Sequence, residues 1–172
     1  VAMNFKDTAN KFQDRIQARL TNFQLKYLNR ILGTIFSEVD GLVTGNLDIG
    51  LDGGGVDVVT KARISNASFK VNFTQVKYWI EDTEFEMTQD RIKLDGIRLR
   101  DQNGQTAVVK GYISHRGFQN MYYDIAVQTE SDRMELLNTN YNDNQQFFGY
   151  AKGGGTFVLV GPQSDMLMDI DI

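Results

Sequence analysis

The stretch Ile92–Gln128, IKLDGIRLRDQNGQTAVVKGYISHRGFQNMYYDIAVQ, constrains the fold of this chain more than any other. Apolar residues recur there at every second position, the spacing of a strand with one buried face. Ile92 and Leu94 lead into Ile97–Leu99, and Asp101-Gln102-Asn103-Gly104 supplies a turn whose glycine is free to take φ > 0. Ala107, Val109, Gly111 and Ile113 share one face of the next strand. A second turn at His115-Arg116-Gly117 leads into Met121, Tyr123, Ile125 and Val127. Three consecutive antiparallel strands with one apolar side need something to cover that side, and the cover is the functional question.

The same alternation runs through most of the chain. From Asp40, Val43, Leu47, Ile49 and Leu51 face one way up to Gly53-Gly54-Gly55, a turn. Val56–Ser65 reads as a strand, and Ser68–Phe73 as another with Phe69, Val71 and Phe73 on one face. Gln75–Glu81 carries the single Trp, and Thr83–Thr88 sets Phe85 and Met87 against Glu84 and Glu86. Arg133–Thr139 reads as a short strand and Asn140–Gln146 as a polar loop. Gly153-Gly154-Gly155 opens Thr156–Val160, which carries Phe157 and Leu159; after Gly161-Pro162, Met166, Met168 and Ile170 alternate with Leu167, Asp169 and Asp171. About ten to twelve strands of ordinary length joined by short turns, with no helical crossovers, predict a mainly antiparallel all-β fold. Pattern alone leaves a sandwich, an open groove and a barrel open.

The first 36 residues differ. Phe12, Ile16 and Leu20 fit a helix face, but Phe12–Thr21 also alternates, and we favour a hairpin of Val1–Asp7 with Phe12–Thr21. Phe23–Phe36 is helical in period, with Leu28, Ile31, Leu32, Ile35 and Phe36 as its stripe. Residues 1–36 are therefore expected to form a hairpin or helix plus a short amphipathic capping helix. Residues 37–172 form the β-domain, the two together making one domain. The start at Val1 and the lack of a signal peptide read as an internal piece of a longer protein.

Catalytic and nucleic-acid functions find little footing. A formal charge of -4, with acids and bases interspersed, offers no basic patch. With no Cys and one His, thiolate sites and Cys/His dyads are excluded, though the compartment is not fixed by that. Ser114 and His115 are strand neighbours pointing to opposite faces, so adjacency does not pair them, and His115 reads as a turn residue. Asp48, Asp52, Asp57, Glu81, Asp82, Glu84 and Glu86 read as a solvated polar face. The Asn140–Asn144 loop lacks the acid spacing of a calcium loop, and the glycine triplets lack the Lys-Ser/Thr of a phosphate loop. No cofactor or metal is expected. The apolar faces, taken as residues alone, read as packed core.

The order of these segments resembles the C-terminal domain of TamB-type proteins, in the AsmA-like superfamily, as found in Bacteroides-type Gram-negative bacteria. The resemblance covers residues 23–172. It is carried by G-x-x-x-G at Gly41 and Gly45, L-x-D-x-x-G at Leu99, Asp101 and Gly104, and G-x-I-x-H-x-x-F at Gly111, Ile113, His115 and Phe118. The run L-N-T…F-x-G-x-A-x-x-G between Leu137 and Gly154 matches too. It implies a long sheet folded lengthwise into a taco-like groove. Its hydrophobic lining would be the apolar positions named above, from Val43 to Ile170. It also implies a non-enzymatic periplasmic role in a parent protein anchored in the inner membrane. Phospholipid acyl chains or unfolded outer-membrane β-strands would be the cargo, with a TamA/BamA-type barrel protein as partner, serving outer-membrane biogenesis. Lys110 and Arg63 must then point outward, and polar Thr129 ends the apolar face. The rival expectation is a cell-surface ligand-binding or adhesive β-sandwich with Trp79, Tyr112 and Tyr122 clustered on an exposed face.

Overall fold

The computed structural model describes residues 2–3, 15–52, 55–117, 119–145 and 148–171. It is an antiparallel meander in which nearly every strand pairs with its neighbour in sequence. β1 (Ala2–Met3), β2 (Arg15–Gln24), β3 (Phe36–Asp52) and β4 (Gly55–Val71) form the first part. β5 (Lys77–Ile80) and β6 (Thr83–Met87) both pair with β4, and act as one strand interrupted at Glu81-Asp82. β7 (Arg91–Lys93) and β8 (Arg98–Arg100) are likewise one interrupted strand, paired to β6 and β5 on one side and to β9 (Thr106–Arg116) on the other. β10 (Gln119–Thr129), β13 (Thr156–Pro162) and β14 (Leu167–Asp171) complete the sheet. β11 (Met134–Thr139) and β12 (Gly149–Gly153) form a separate two-stranded sheet inserted between β10 and β13. The all-β antiparallel expectation is borne out, with a sheet compatible with a groove or an open sandwich.

A line of irregularities crosses the sheet. Asn22, Gly41, Asn66, Gly96 and Gly111 all have positive φ, on β2, β3, β4, the β7–β8 break and β9. Register slips accompany it between Leu20 and Phe23 and between Asp40 and Leu42. Each bulge bends its strand and strengthens the local twist. Asp82 Oδ1 accepts from the Asn66 amide and Asp95 Oδ1 from the Gly111 amide, so carboxylates at the two strand interruptions satisfy amides that the ladder drops.

Several sequence expectations change at this crease. Val56–Ser65 and Ser68–Phe73 are one strand, β4, continued through the bulge at Asn66 because the ladder with β3 resumes beyond it. Phe73 lies past the end of β4 in a turn and is 47% exposed, so it is not part of a strand face. β9 runs to Arg116, which places His115 on a strand rather than in a turn. In the N-terminal region β1 pairs antiparallel with Ile16 and Gln17 of β2, the strand alternative, while residues 4–14 of the expected hairpin lie outside the described part. The helical stretch between Phe23 and Phe36 is shorter than expected: a 3-10 turn at Leu25–Leu28 followed by α1 at Asn29–Leu32. Strand β2 continues to Gln24, and the Asn29 side chain bridges the Lys26 carbonyl and both backbone groups of Val39, which turns the chain back into β3.

Candidate functional site: an apolar face carried across the sheet

Register shows how far the apolar side extends. Ala18, Leu47, Thr60, Met87, Ile92, Ile113, Tyr123 and Gly161 stand opposite one another in turn, one row crossing eight strands. Since side chains alternate faces along each strand, every second residue from this row shares its face. Ile16, Ile49 and Val58 lie beyond it on one side, and Phe23, Val43 and Ile64 on the other. Val109, Val127, Phe157 and Ile170 form a further row, and Ile125, Leu159 and Met168 another. Ala67, Ile80, Leu99 and Ala107 continue the face past the crease. Phe69 follows, packed on Phe36 with ring centroids 5.1 Å apart, and Val71 pairs with Phe36 at the strand end. The side chains of Leu51 and Ile170 lie outside the described part.

The face is not uniformly open. Val109, Ile113, Met121, Tyr123 and Ile125 are buried in one cluster with Ile97, Leu99 and Ala107, and Leu94, Ile92, Val127, Phe157, Leu159 and Met166 pack on its margins. Met134 and Leu136 of β11 belong to that same cluster. The inserted hairpin is therefore the cover over β8–β10, a role the sequence did not signal. A second cluster joins Val43, Ala62, Ile64 and Ala67, with Leu20, Leu25, Ile80 and Phe85 against it. Met87 is buried as well, whereas Leu47 and Ile49 are half-buried and Met168 on the last strand is 38% exposed.

Polar groups fasten the hairpin to the turn between β8 and β9. Asp101 is 2% exposed; its Oδ1 accepts from the amides of Asn103 and Gln105, and its Oδ2 accepts from the amide of Glu135 at 2.9 Å. Glu135, 1% exposed, has its carboxylate met by side-chain amides of Gln102, Asn103 and Asn138. The Tyr78 hydroxyl donates to the Glu135 carbonyl at 2.8 Å. Burial, reinforced by the two nearby carboxylates, pushes the Tyr78 phenol well up, so it stays protonated and a donor.

The opposite face is polar and ion-paired. Glu86 lies between Lys61 and Lys93, Arg63 pairs with Asp82, and Arg98 reaches both Glu81 and Glu130. The Lys93 hydrogen bond holds the Glu86 carboxyl low, the Thr106 hydroxyl and then Arg98 hold Glu130 low, and Lys77 does so for Glu38. The carboxylates Glu81, Asp82, Glu84 and Glu86 thus lie on this solvated side, Glu84 exposed; the side chains of Asp52 and Asp57 lie outside the described part. Arg63 and Lys110 are both exposed, as a groove reading requires. Thr129 stands opposite Ala107 and bonds to Gly155.

His115 is 6% exposed, and burial lowers its pKa against the opposing pull of Asp90. Among the described residues no group of three His, Cys, Asp or Glu side chains is placed to hold a metal ion. The Asn140 loop is a self-capped turn: Asp143 accepts from the Asn140 amide and Asn140 from the Asn142 amide. A shallow cleft of about 440 Å³ opens where the strands break, lined by Asn66, Trp79, Asp82 and Arg100 among others. Tyr112 and Tyr122 are diagonal neighbours on β9 and β10, but Trp79 pairs with Arg100, which pairs with Thr106. Six residues of β9 separate that position from Tyr112, about 20 Å of strand, so the three aromatics form no single platform. Comparison with protein-family models, with curated proteins and with solved structures finds no match.

Proposed function

We propose that this protein is a non-enzymatic lipid-handling domain that shelters phospholipid acyl chains on its continuous apolar face. In the TamB-like reading it is a periplasmic part of an inner-membrane-anchored protein that passes lipid, or unfolded barrel strands, toward an outer-membrane partner of the TamA/BamA type. The observation that carries the proposal is the row from Ala18 to Gly161, which aligns one face across eight strands while the reverse face is ion-paired. A conduit for acyl chains needs even apolarity along its length and no reacting group. Each methylene withdrawn from water favours binding by ~0.8 kcal/mol, so a fully sheltered chain of ~16 carbons gains roughly 12 kcal/mol to set against the cost of association.

The test is native mass spectrometry and solvent extraction of the purified protein, followed by titration with a fluorescent long-chain fatty acid. Lipid should co-purify, and Leu47→Glu, on the half-buried part of the face, should weaken uptake at least ~10-fold without unfolding the sheet. A folded protein that carries no lipid and takes up none in excess sinks the proposal.

A further inference from the structure

We infer that the β11–β12 hairpin is a hinged lid whose lifting admits an acyl chain to the apolar face beneath it; this rests on the lipid-handling reading above. The topology is that of a flap. β10 and β13 pair directly through Gln128 and Thr156, so the hairpin leaves and re-enters the sheet at one rung without interrupting it. Its two ends are tied there: the Thr129 amide donates to the Gly155 carbonyl at 3.0 Å, and the Gly155 amide donates to Thr129 Oγ1 at 2.7 Å. Gly153, Gly154 and Gly155 form the returning arm, and a Cβ on Gly154 would lie 2.5 Å from the Ser131 carbonyl oxygen of the outgoing arm. The two arms therefore pass closely at a glycine, so the hairpin joins the sheet through this one narrow neck.

What holds the lid down is different in kind from what holds the sheet. β9 and β10 share nine paired positions. Among the described residues the two strands of the hairpin bond to the body beneath through the Asn138 amide on the Thr74 carbonyl, the Glu135 amide on Asp101, and the side chains converging on Glu135. Among the described residues no ladder joins the hairpin to the large sheet. The Glu135 carboxylate is buried against neutral amides, with no cation in ion-pair range among the described residues. Such a group is held by geometry and gains full solvation once the lid lifts, which lowers the cost of opening. Beneath lie Met134, Leu136 and the β8–β10 cluster, so an acyl chain entering there replaces one apolar cover with another.

The chain has no Cys, so a reversible clamp is available. Thr74→Cys with Asn138→Cys joins two residues whose backbones hydrogen-bond at 2.9 Å, and free-thiol titration shows whether the pair has closed. Hydrogen exchange reads the lid itself. Amides of β11 and β12 should exchange ~10-fold faster than those of β10, and Asp101→Asn should speed them ~10-fold more, leaving β10 unchanged. That substitution keeps one oxygen as the turn acceptor and sets an NH2 donor against the Glu135 amide in place of its acceptor. The oxidised clamp should slow fatty-acid uptake, with reductant restoring it. Hairpin exchange that matches β10 in both proteins, or uptake indifferent to the clamp, overturns the lid. A hairpin that opens as described in a protein that never takes up the probe supports the lid motion and overturns the lipid reading instead.

Discussion

Tyr78 and Tyr123 are both withdrawn from water, yet the same Tyr→Phe substitution should have opposite consequences at the two sites. Tyr123 is 1% exposed, and its hydroxyl's one hydrogen bond among the described residues goes to Met121 Sδ at 3.5 Å. A thioether is a weak acceptor, so the desolvation of the phenol is poorly offset. Removing that oxygen should leave stability within ~0.5 kcal/mol of the parent or raise it. Tyr78 donates to the Glu135 backbone carbonyl at 2.8 Å, across the junction between sheet and hairpin. Its loss removes a net ~1 kcal/mol and strips a buried carbonyl of a donor, for a total of ~1–2.5 kcal/mol. In a chain of this size, ~1 kcal/mol shifts Tm by ~2–4 °C. Urea denaturation of the parent and the two variants, followed by tyrosine and tryptophan fluorescence, separates them, with the m-value checked for constancy. Equal losses for the two variants would refute the reasoning, because burial alone would then outweigh partner quality.

Two further predictions concern backbone strain and acid. Gly111→Ala should destabilise by at least ~2 kcal/mol, since φ is +108° and the new Cβ would sit 2.0 Å from the Asp124 carbonyl oxygen. Gly104→Ala, at φ +80° with nothing within 4 Å, should cost only the conformational strain of ~1 kcal/mol; thermal melts of the pair test the difference. His115 is kept neutral by burial, so the unfolded chain takes up a proton at the ordinary histidine value of 6.5 before the native state does. Stability should therefore fall as pH drops from 6.5 toward the lowered native value, and His115→Gln should flatten that slope in pH-dependent urea melts. The lowered carboxyls of Glu38, Glu86 and Glu130 act in a separate window, below 4.5.

The parts of this fold that were legible are those where period 2 runs unbroken. β9 and β10 follow the alternation of Ala107–Ile113 and Met121–Val127 residue by residue, because one face is buried and the other wet. The crease was not legible, since a bulge inserts one residue and reverses the phase. Ile64 and Ala67 share the inner face three residues apart, so the alternation along β4 breaks into two segments in the sequence. The lid was hidden for the opposite reason. Met134, Glu135, Leu136 and Leu137 are four consecutive buried residues, covered on both faces, so no alternation marks them. A glutamate among them reads as solvated until its amide partners, brought from the β8–β9 turn, are seen.

A one-sided sheet of this width has two ways to protect its apolar face, and the choice bears on function. A second complete sheet would cover every row at once and leave a dry core with no room for a guest. Among the described residues one short hairpin lies over the centre of the face at β8, β9 and β10, while Leu47 and Ile49 on one flank are half-buried and Met168 on the other is exposed. The second cluster, with Val43, Ala62 and Ile64, is buried as well, so the face is partly wet only toward its outer strands. On the proposed lipid-handling reading, an acyl chain bound at a flank would meet the edge of the hairpin, and its further progress would require Met134 and Leu136 to leave the surface they cover. The same two side chains that complete the core would then be the ones that the proposed cargo displaces, so substitutions that loosen them should lower stability and, if the proposal holds, raise lipid uptake together.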